Sequence, residues 1–225
     1  MNKSLEDIHF DQESSMIDLA FGFRIREIEE GILKKARAQL PDGNHFTWGE
    51  KLHGGSQTWV GLHEETLQTP YEELKLACDY ICPKAGETLV DLGSGYGRLG
   101  LLLGKFYPGV EFQGFELVPE RVSEGNRIFQ EFQCKSAKLY EQDLTREDFI
   151  IPLARYYFLY DYGKVAHIRR TLDQLSEIAN RHDFIIIARG KGVRSLIEKD
   201  YPWLTVHDPW HQKHFSIYQT SFGQF

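Results

Sequence analysis

Apolar residues change their spacing several times along this chain, and each change marks an element. Ile17, Phe21, Ile25, Ile28 and Ile32 recur at steps of three or four, which predicts one helix over 17–40, stopped by Pro41-Asp42-Gly43. Residues 1–16 before it are polar and expected to be loose. Residues 41–70 hold Gly54, Gly55, His45, His53, Trp48 and Trp59 without a sustained period, so a long irregular segment is expected there. Its two tryptophans would either close over a ligand or pin the segment to the core. From Pro70, Leu74, Cys78 and Ile81 mark a short helix closed by Pro83. The apolar run 88–92 then reads as a strand, and Leu99, Leu102, Leu103 and Phe106 as a helix stopped by Pro108-Gly109. Strands over 111–117, about 137–142, 156–160 and 184–188 follow. Between them lie a helix opened by Pro119 with Val122, Phe129 and Phe132 on one side, and another carrying Ile168, Leu172, Leu175 and Ile178. A short helix around 192–199 and two strands near 204–207 and 215–220 close the pattern.

Strands alternating with helices predict an α/β fold with a parallel sheet covered on both faces. Right-handed crossovers put the carboxyl ends of those strands on one edge, where ligands bind. The expected division is an N-terminal helix with a lid or substrate loop over 1–67, then a cofactor-binding domain over 68–225.

Composition narrows the function classes. A chain of 225 residues with 41% hydrophobic content suits one core rather than two. No apolar run is long enough to predict a membrane span, and the polar, acidic start has no apolar stretch of a secretory signal. The net charge of −7 argues against an extended nucleic-acid footprint, which needs clustered Lys and Arg. Cys78, Cys82 and Cys134 make an odd count, read as reduced thiols in a cytoplasmic protein.

The chemistry concentrates in Val90-Asp91-Leu92-Gly93-Ser94-Gly95-Tyr96-Gly97, where a strand ends, glycines alternate and a helix begins. Dinucleotide enzymes space their glycines G-x-G-x-x-G; here Arg98 stands where the last small residue belongs. The spacing is instead G-x-G-x-G behind Asp91, and a carboxylate at that point repels a pyrophosphate while suiting a ligand with an ammonium and a sulfonium. This resembles motif I of the Rossmann-like, seven-strand S-adenosylmethionine methyltransferases, over roughly 68–221. The resemblance implies S-adenosyl-L-methionine as cofactor, held by Asp91, Gly93, Ser94, Gly95 and Gly97. It further implies Glu116 with Leu117 at the ribose, and Asp143 with Leu144 at the adenine. The lesser alternative for Asp143 is a turn cap.

A narrower similarity is to the non-SET histone-lysine and related protein-lysine methyltransferases. It rests on the glycine loop, on Gly114-Phe115-Glu116 and on Gln68-Thr69-Pro70-Tyr71, which adds Thr69 to the cofactor residues. The departure is at the fourth strand, where Tyr160-Asp161-Tyr162-Gly163 replaces an Asn-rich stretch. Asp161 and Tyr162 are the candidate catalytic residues, Asp161 helping an amine lose its proton; both also fit a helix start and a packing ring. No N/D-P-P-Y sequence is present. His207, Asp208, His211 and His214 could space a metal site, but a polar loop anchored by Trp210 is the better reading, and no metal is expected. The expected function is methyl transfer to a protein lysine amine. The alternatives are a small-molecule acceptor, or a methyltransferase-like binding module without turnover.

Overall fold

The computed structural model describes residues 4–38 and 64–220; Trp48, Trp59 and the rest of 39–63 lie outside them. Among the described residues seven strands form one sheet: β1 (Thr88–Leu92), β2 (Glu111–Glu116), β3 (Ala137–Glu141), β4 (Tyr156–Tyr160), β5 (Ile185–Arg189), β6 (Trp210–His211) and β7 (Phe215–Gln219). Their order is β3-β2-β1-β4-β5-β7-β6. The first five are parallel, and β7 runs antiparallel to both β5 and β6.

The central strands do not alternate apolar with polar because both faces are covered. Leu89 to Leu92 of β1 are all buried, as are Tyr156 to Leu159 of β4. Helices α4 (Tyr71–Ile81), α5 (Arg98–Phe106) and α6 (Pro119–Glu131) cover one face, where Leu74, Leu102 and Phe129 meet Phe112 of β2. Helices α7 (Val165–Ala179) and α8 (Lys191–Asp200) cover the other, where Leu172 and Ile197 meet Leu92 and Tyr157. The chain lays β1, β2 and β3 outward in one direction, then returns to place β4 on the free side of β1. The carboxyl ends of β1 and β4 therefore part at a topological switch point, and a crevice opens there.

Three expectations about the ends of the chain change. The helix expected over 17–40 is two, α1 (Ser14–Phe21) and α2 (Ile25–Ala38), parted by Gly22 at φ +80°, whose N–H returns to the Asp18 and Leu19 carbonyls. Phe21 and Ile25 both face inward four residues apart, so the apolar spacing runs on across a break in the backbone. Residues 4–13 are packed rather than loose. Ile8 is buried, and the Phe10 ring meets the rings of Phe21, Tyr71 and Phe106 edge-on at 5.8, 5.1 and 5.1 Å. Finally, the strand expected over 204–207 is absent. Pro202–Leu204 forms a 3-10 turn that buries Leu204 and leaves Val206 exposed, and β6 pairs through Trp210 and His211 instead. The N–H groups of Leu204 and Thr205 donate to the Tyr201 and Pro202 carbonyls, both at 3.0 Å, and are not free for a ladder. A short helix α3 (Glu64–Leu67) precedes α4. No described helix is long and apolar enough to cross a membrane.

Candidate functional site

Beyond Leu92 the chain turns through the glycine loop into α5. The N–H groups of Gly93 and Ser94 both donate to the Phe115 carbonyl, at 2.9 and 3.0 Å, and lock the loop against the end of β2. Gly93 has φ +91°, and a Cβ there would lie 2.6 Å from Tyr162 Cβ. Gly95 has φ +55° but meets only Gln68 Cγ at 4.0 Å, so the space above it is open. Gly97 caps α5 and faces Phe129 and Leu139, away from the crevice.

That open space is a cavity of about 240 Å³. Gly93, Gly95, Glu116, Leu117 and Leu144 line it from the β1–β3 side, and Tyr160, Asp161 and Tyr162 from the β4 side. Glu116 is buried; one carboxylate oxygen accepts from Gly95 N and the other from Val118 N, both at 3.0 Å. The Arg121 guanidinium stands 3.6 Å from it and is itself held by Glu29 of α2, at 2.8 and 3.0 Å. Tyr96 donates to the same Glu29 carboxylate at 2.8 Å. An N-terminal helix thus reaches the charge at the end of β2.

A smaller adjoining cavity is lined by Asp91, Ser94, Gln68 and Thr69. Asp91 is buried with no pairing partner among the described residues, and burial, reinforced by the nearby Glu116 charge, pushes its carboxyl well above the usual range. Gln68 Nε2 and Ser94 Oγ are buried without hydrogen-bond partners among the described residues. Arg98, which sequence spacing read only as a missing glycine, is buried and ion-paired with Asp18 of α1. It also donates to the Thr69 carbonyl at 3.1 Å and lies 5.1 Å from the Tyr71 ring. It ties α1 and the start of α4 to the glycine loop.

The remaining sequence candidates hold structural partners. Asp143 is outside the cavity lining; its Oδ1 accepts from Thr145 N at 2.8 Å and Thr145 Oγ1 at 2.6 Å, capping a turn that puts Gln142 and Leu144 at the cavity. Asp161 accepts from Gly192 N at 2.9 Å and Val193 N at 2.7 Å, one carboxylate oxygen each, and so caps α8 from the end of β4. The Tyr162 hydroxyl is paired with Thr171 of α7, and burial pushes it up to about 12. Sequence reasoning passed over Tyr160, whose hydroxyl donates to the Thr66 carbonyl at 3.0 Å and whose ring lies 4.3 Å from the Arg189 guanidinium. It also passed over Phe115, Gln142 and Arg121 at the cavity. Strand-end position alone would have found Tyr160 and Phe115. Among the described residues no His, Cys, Asp and Glu group could hold a metal ion, and His211 Nδ1 is hydrogen-bonded to Ser216 Oγ at 2.8 Å.

No protein-family model matches this chain, and neither does any curated protein. Solved structures do. An RNA methyltransferase from Salinibacter ruber, solved with S-adenosyl-L-homocysteine, matches with a TM-score of 0.52 and 15% identity over 70% of this chain and 95% of its own. Precorrin-6Y C5,15-methyltransferase from Geobacter metallireducens matches with a TM-score of 0.54 and 13% identity over 71% and 93%. A mutant of MtNAS with S-adenosylmethionine matches at 0.51 and 16% over 66% of this chain, which spans only 59% of that one. The chain has the seven-strand, Rossmann-like fold found among S-adenosylmethionine-dependent methyltransferases.

Proposed function

We propose that this chain is an S-adenosylmethionine-dependent methyltransferase. The observation that carries the reading is the Gly95 N–H, which donates to Glu116 beside an open cavity instead of facing it free. A pyrophosphate needs such N–H groups for itself and would meet two carboxylates, Asp91 and Glu116. A ligand with ribose hydroxyls and an ammonium needs the opposite arrangement, the one present.

The residues fit that ligand group by group. Glu116 retains acceptor capacity beyond its two backbone bonds for ribose hydroxyls, since a carboxylate offers about four lone-pair sites. Asp91 is a buried carboxylate suited to a cation. The unpartnered Gln68 amide beside it can donate to a carboxylate, so the pair suits an amino-acid moiety. Leu144 and Phe115 offer apolar faces to the adenine, with Asp143 shaping the turn that presents Leu144. The bound cofactor supplies a methyl group on a sulfonium. The protein aligns the acceptor in line with that methyl group and excludes water; Tyr160, Asp161 and Tyr162 form the wall that does so.

The acceptor expected from the narrower resemblance, a protein lysine amine, gains no support. The matched methyltransferases are named for RNA and precorrin, and both Asp161 oxygens already hold α8. Calorimetric titration with S-adenosylmethionine, S-adenosylhomocysteine and NAD tests the reading. The first two are expected to bind and NAD not to; binding of NAD alone would refute it. Tight cofactor binding with no methyl transfer to any acceptor would favour the non-catalytic module.

A further inference from the structure

Across Tyr160 from the cofactor cavity lies a second one, of about 440 Å³. Arg189, Lys191, Arg194 and Lys213 line it, four cations against one carboxylate, Glu198. This balance is the reverse of the chain as a whole, at −7. Arg189 is neutralised by Glu73, its Nε donating at 2.8 Å. Lys191, Arg194 and Lys213 remain against Glu198 among the lining residues, with the Asp161 carboxylate behind Gly190 and Gly192. Arg194 gives one nitrogen to the Lys213 carbonyl at 3.1 Å, while its Nε is buried without a partner among the described residues.

The sequence explains why the charge gathers here. Arg189 ends β5, Lys191 opens α8, Arg194 follows on the next turn, and Lys213 sits in the turn between β6 and β7. The Gly190 N–H donates to the His214 carbonyl at 3.1 Å and draws that turn against the start of α8. The first free N–H groups of α8 are already taken by Asp161, so attraction for an anion comes from side chains rather than from the helix end.

We infer that this basic cavity seats a phosphate group of a small methyl acceptor, with Tyr160 as the wall between phosphate and reacting atom. The inference rests on the methyltransferase reading for the word acceptor. A phosphomonoester carries close to two negative charges at neutral pH and offers three acceptor oxygens, which Lys191, Arg194 and Lys213 can meet together. Arg and Lys together supply the forked and point-charge donors that phosphate oxygens accept. The net charge of −7 argues against a polynucleotide backbone as the ligand.

The test is a phosphorus NMR titration of the full chain with inorganic phosphate, with succinate and a short oligouridylate as competitors and S-adenosylhomocysteine titrated in parallel by calorimetry. Lys191 and Lys213 are exposed, so K191E/K213E leaves the core untouched. Phosphate is expected to bind the natural chain and to bind K191E/K213E and R194Q about tenfold more weakly or worse, with S-adenosylhomocysteine affinity unchanged in both. Equal phosphate binding by the variants, no phosphate binding at all, or stronger competition by succinate overturns the inference. Oligouridylate binding tighter than phosphate and lost in K191E/K213E also overturns it, in favour of a polynucleotide. Failure of S-adenosylhomocysteine to bind the natural chain sinks the cofactor reading alone, because the phosphate titration does not depend on it.

Discussion

The two halves of the ligand edge are built by different means. At the ends of β1, β2 and β3 the edge is made of backbone and buried carboxylates: glycines that leave room, Glu116 clamped by two N–H groups, Asp91 without a partner among the described residues. At the ends of β4 and β5 the edge is made of side chains that also hold helices in place. Asp161 caps α8, Tyr162 is bonded into α7, and Arg189 joins Glu73 of α4. The first half keeps polar capacity in reserve for a ligand; in the second, the residues nearest the crevice are already engaged. Substitutions on the first half should therefore act chiefly on ligand binding, and those on the second chiefly on stability.

The sharpest break is Gly95→Arg. The side chain would fill the open space above the loop, and φ +55° is tolerated by non-glycine residues at a cost of about 1–2 kcal/mol. Calorimetry should find S-adenosylhomocysteine binding lost by about a hundredfold or more, while circular dichroism shows a folded chain. Retained binding would place the cofactor elsewhere. Glu116→Ala should cost about 1.5–3 kcal/mol of binding, the scale of hydrogen bonds to a charged group. It also orphans the N–H groups of Gly95 and Val118, so a small fall in Tm should accompany it. A fall in Tm without loss of affinity would leave Glu116 a loop clamp only.

The same contrast explains how much could be read from residues alone. The glycine spacing, Asp91 and Glu116 sit at ends of strands that apolar patterning locates, so their place on one edge follows from topology. Leu144 lines the cavity while Asp143 beside it turns toward Thr145, since one residue at a strand end decides which side chain faces the crevice. The partners of Asp161 and Tyr162 lie on α8 and α7, up to 32 residues further along the chain. No local pattern announces such contacts. Nor does periodicity register Gly22, because Phe21 and Ile25 keep their spacing across it. Arg98 was legible as an exclusion of NAD and illegible as the tie between α1 and the loop.

Asp91→Asn sharpens the comparison in the opposite direction. Its carboxyl is raised by burial first and by Glu116 second, so the folded chain favours the protonated form over the unfolded value of 3.8. Ionised Asp91 therefore destabilises the unliganded fold at neutral pH, and this cost vanishes as pH falls below that value. The variant should gain about 1–2 kcal/mol at neutral pH, show no advantage near pH 3, and bind S-adenosylmethionine more weakly. A lower Tm at neutral pH would mean the carboxylate is needed by the fold. Asp161→Ala should do the reverse, losing about 1 kcal/mol of stability as a missing helix cap with cofactor affinity intact. A fall in kcat with unchanged Tm would restore it as a catalytic residue.

The smallest effect lies away from the crevice, where the turn after α1 is fastened to α6. Burial opposes ionisation of Glu124, but hydrogen bonds from Arg127 and Arg24 outweigh it and hold the carboxyl at about 2, below its usual 4.5. A depressed carboxyl contributes stability that is fully present above 4.5 and is lost as pH falls toward 2. Arg24 is half exposed, so the contribution should be about 1 kcal/mol, the upper end for exposed pairs. Glu124→Gln should lower Tm at pH 6 and leave it nearly unchanged at pH 2, where the natural side chain is itself becoming neutral. Because Glu124 touches neither cavity, S-adenosylhomocysteine affinity should hold in this variant. If affinity falls with it, the N-terminal helices carry strain through Glu29 and Arg121 to Glu116, and the cofactor half is less self-contained than its local bonds imply.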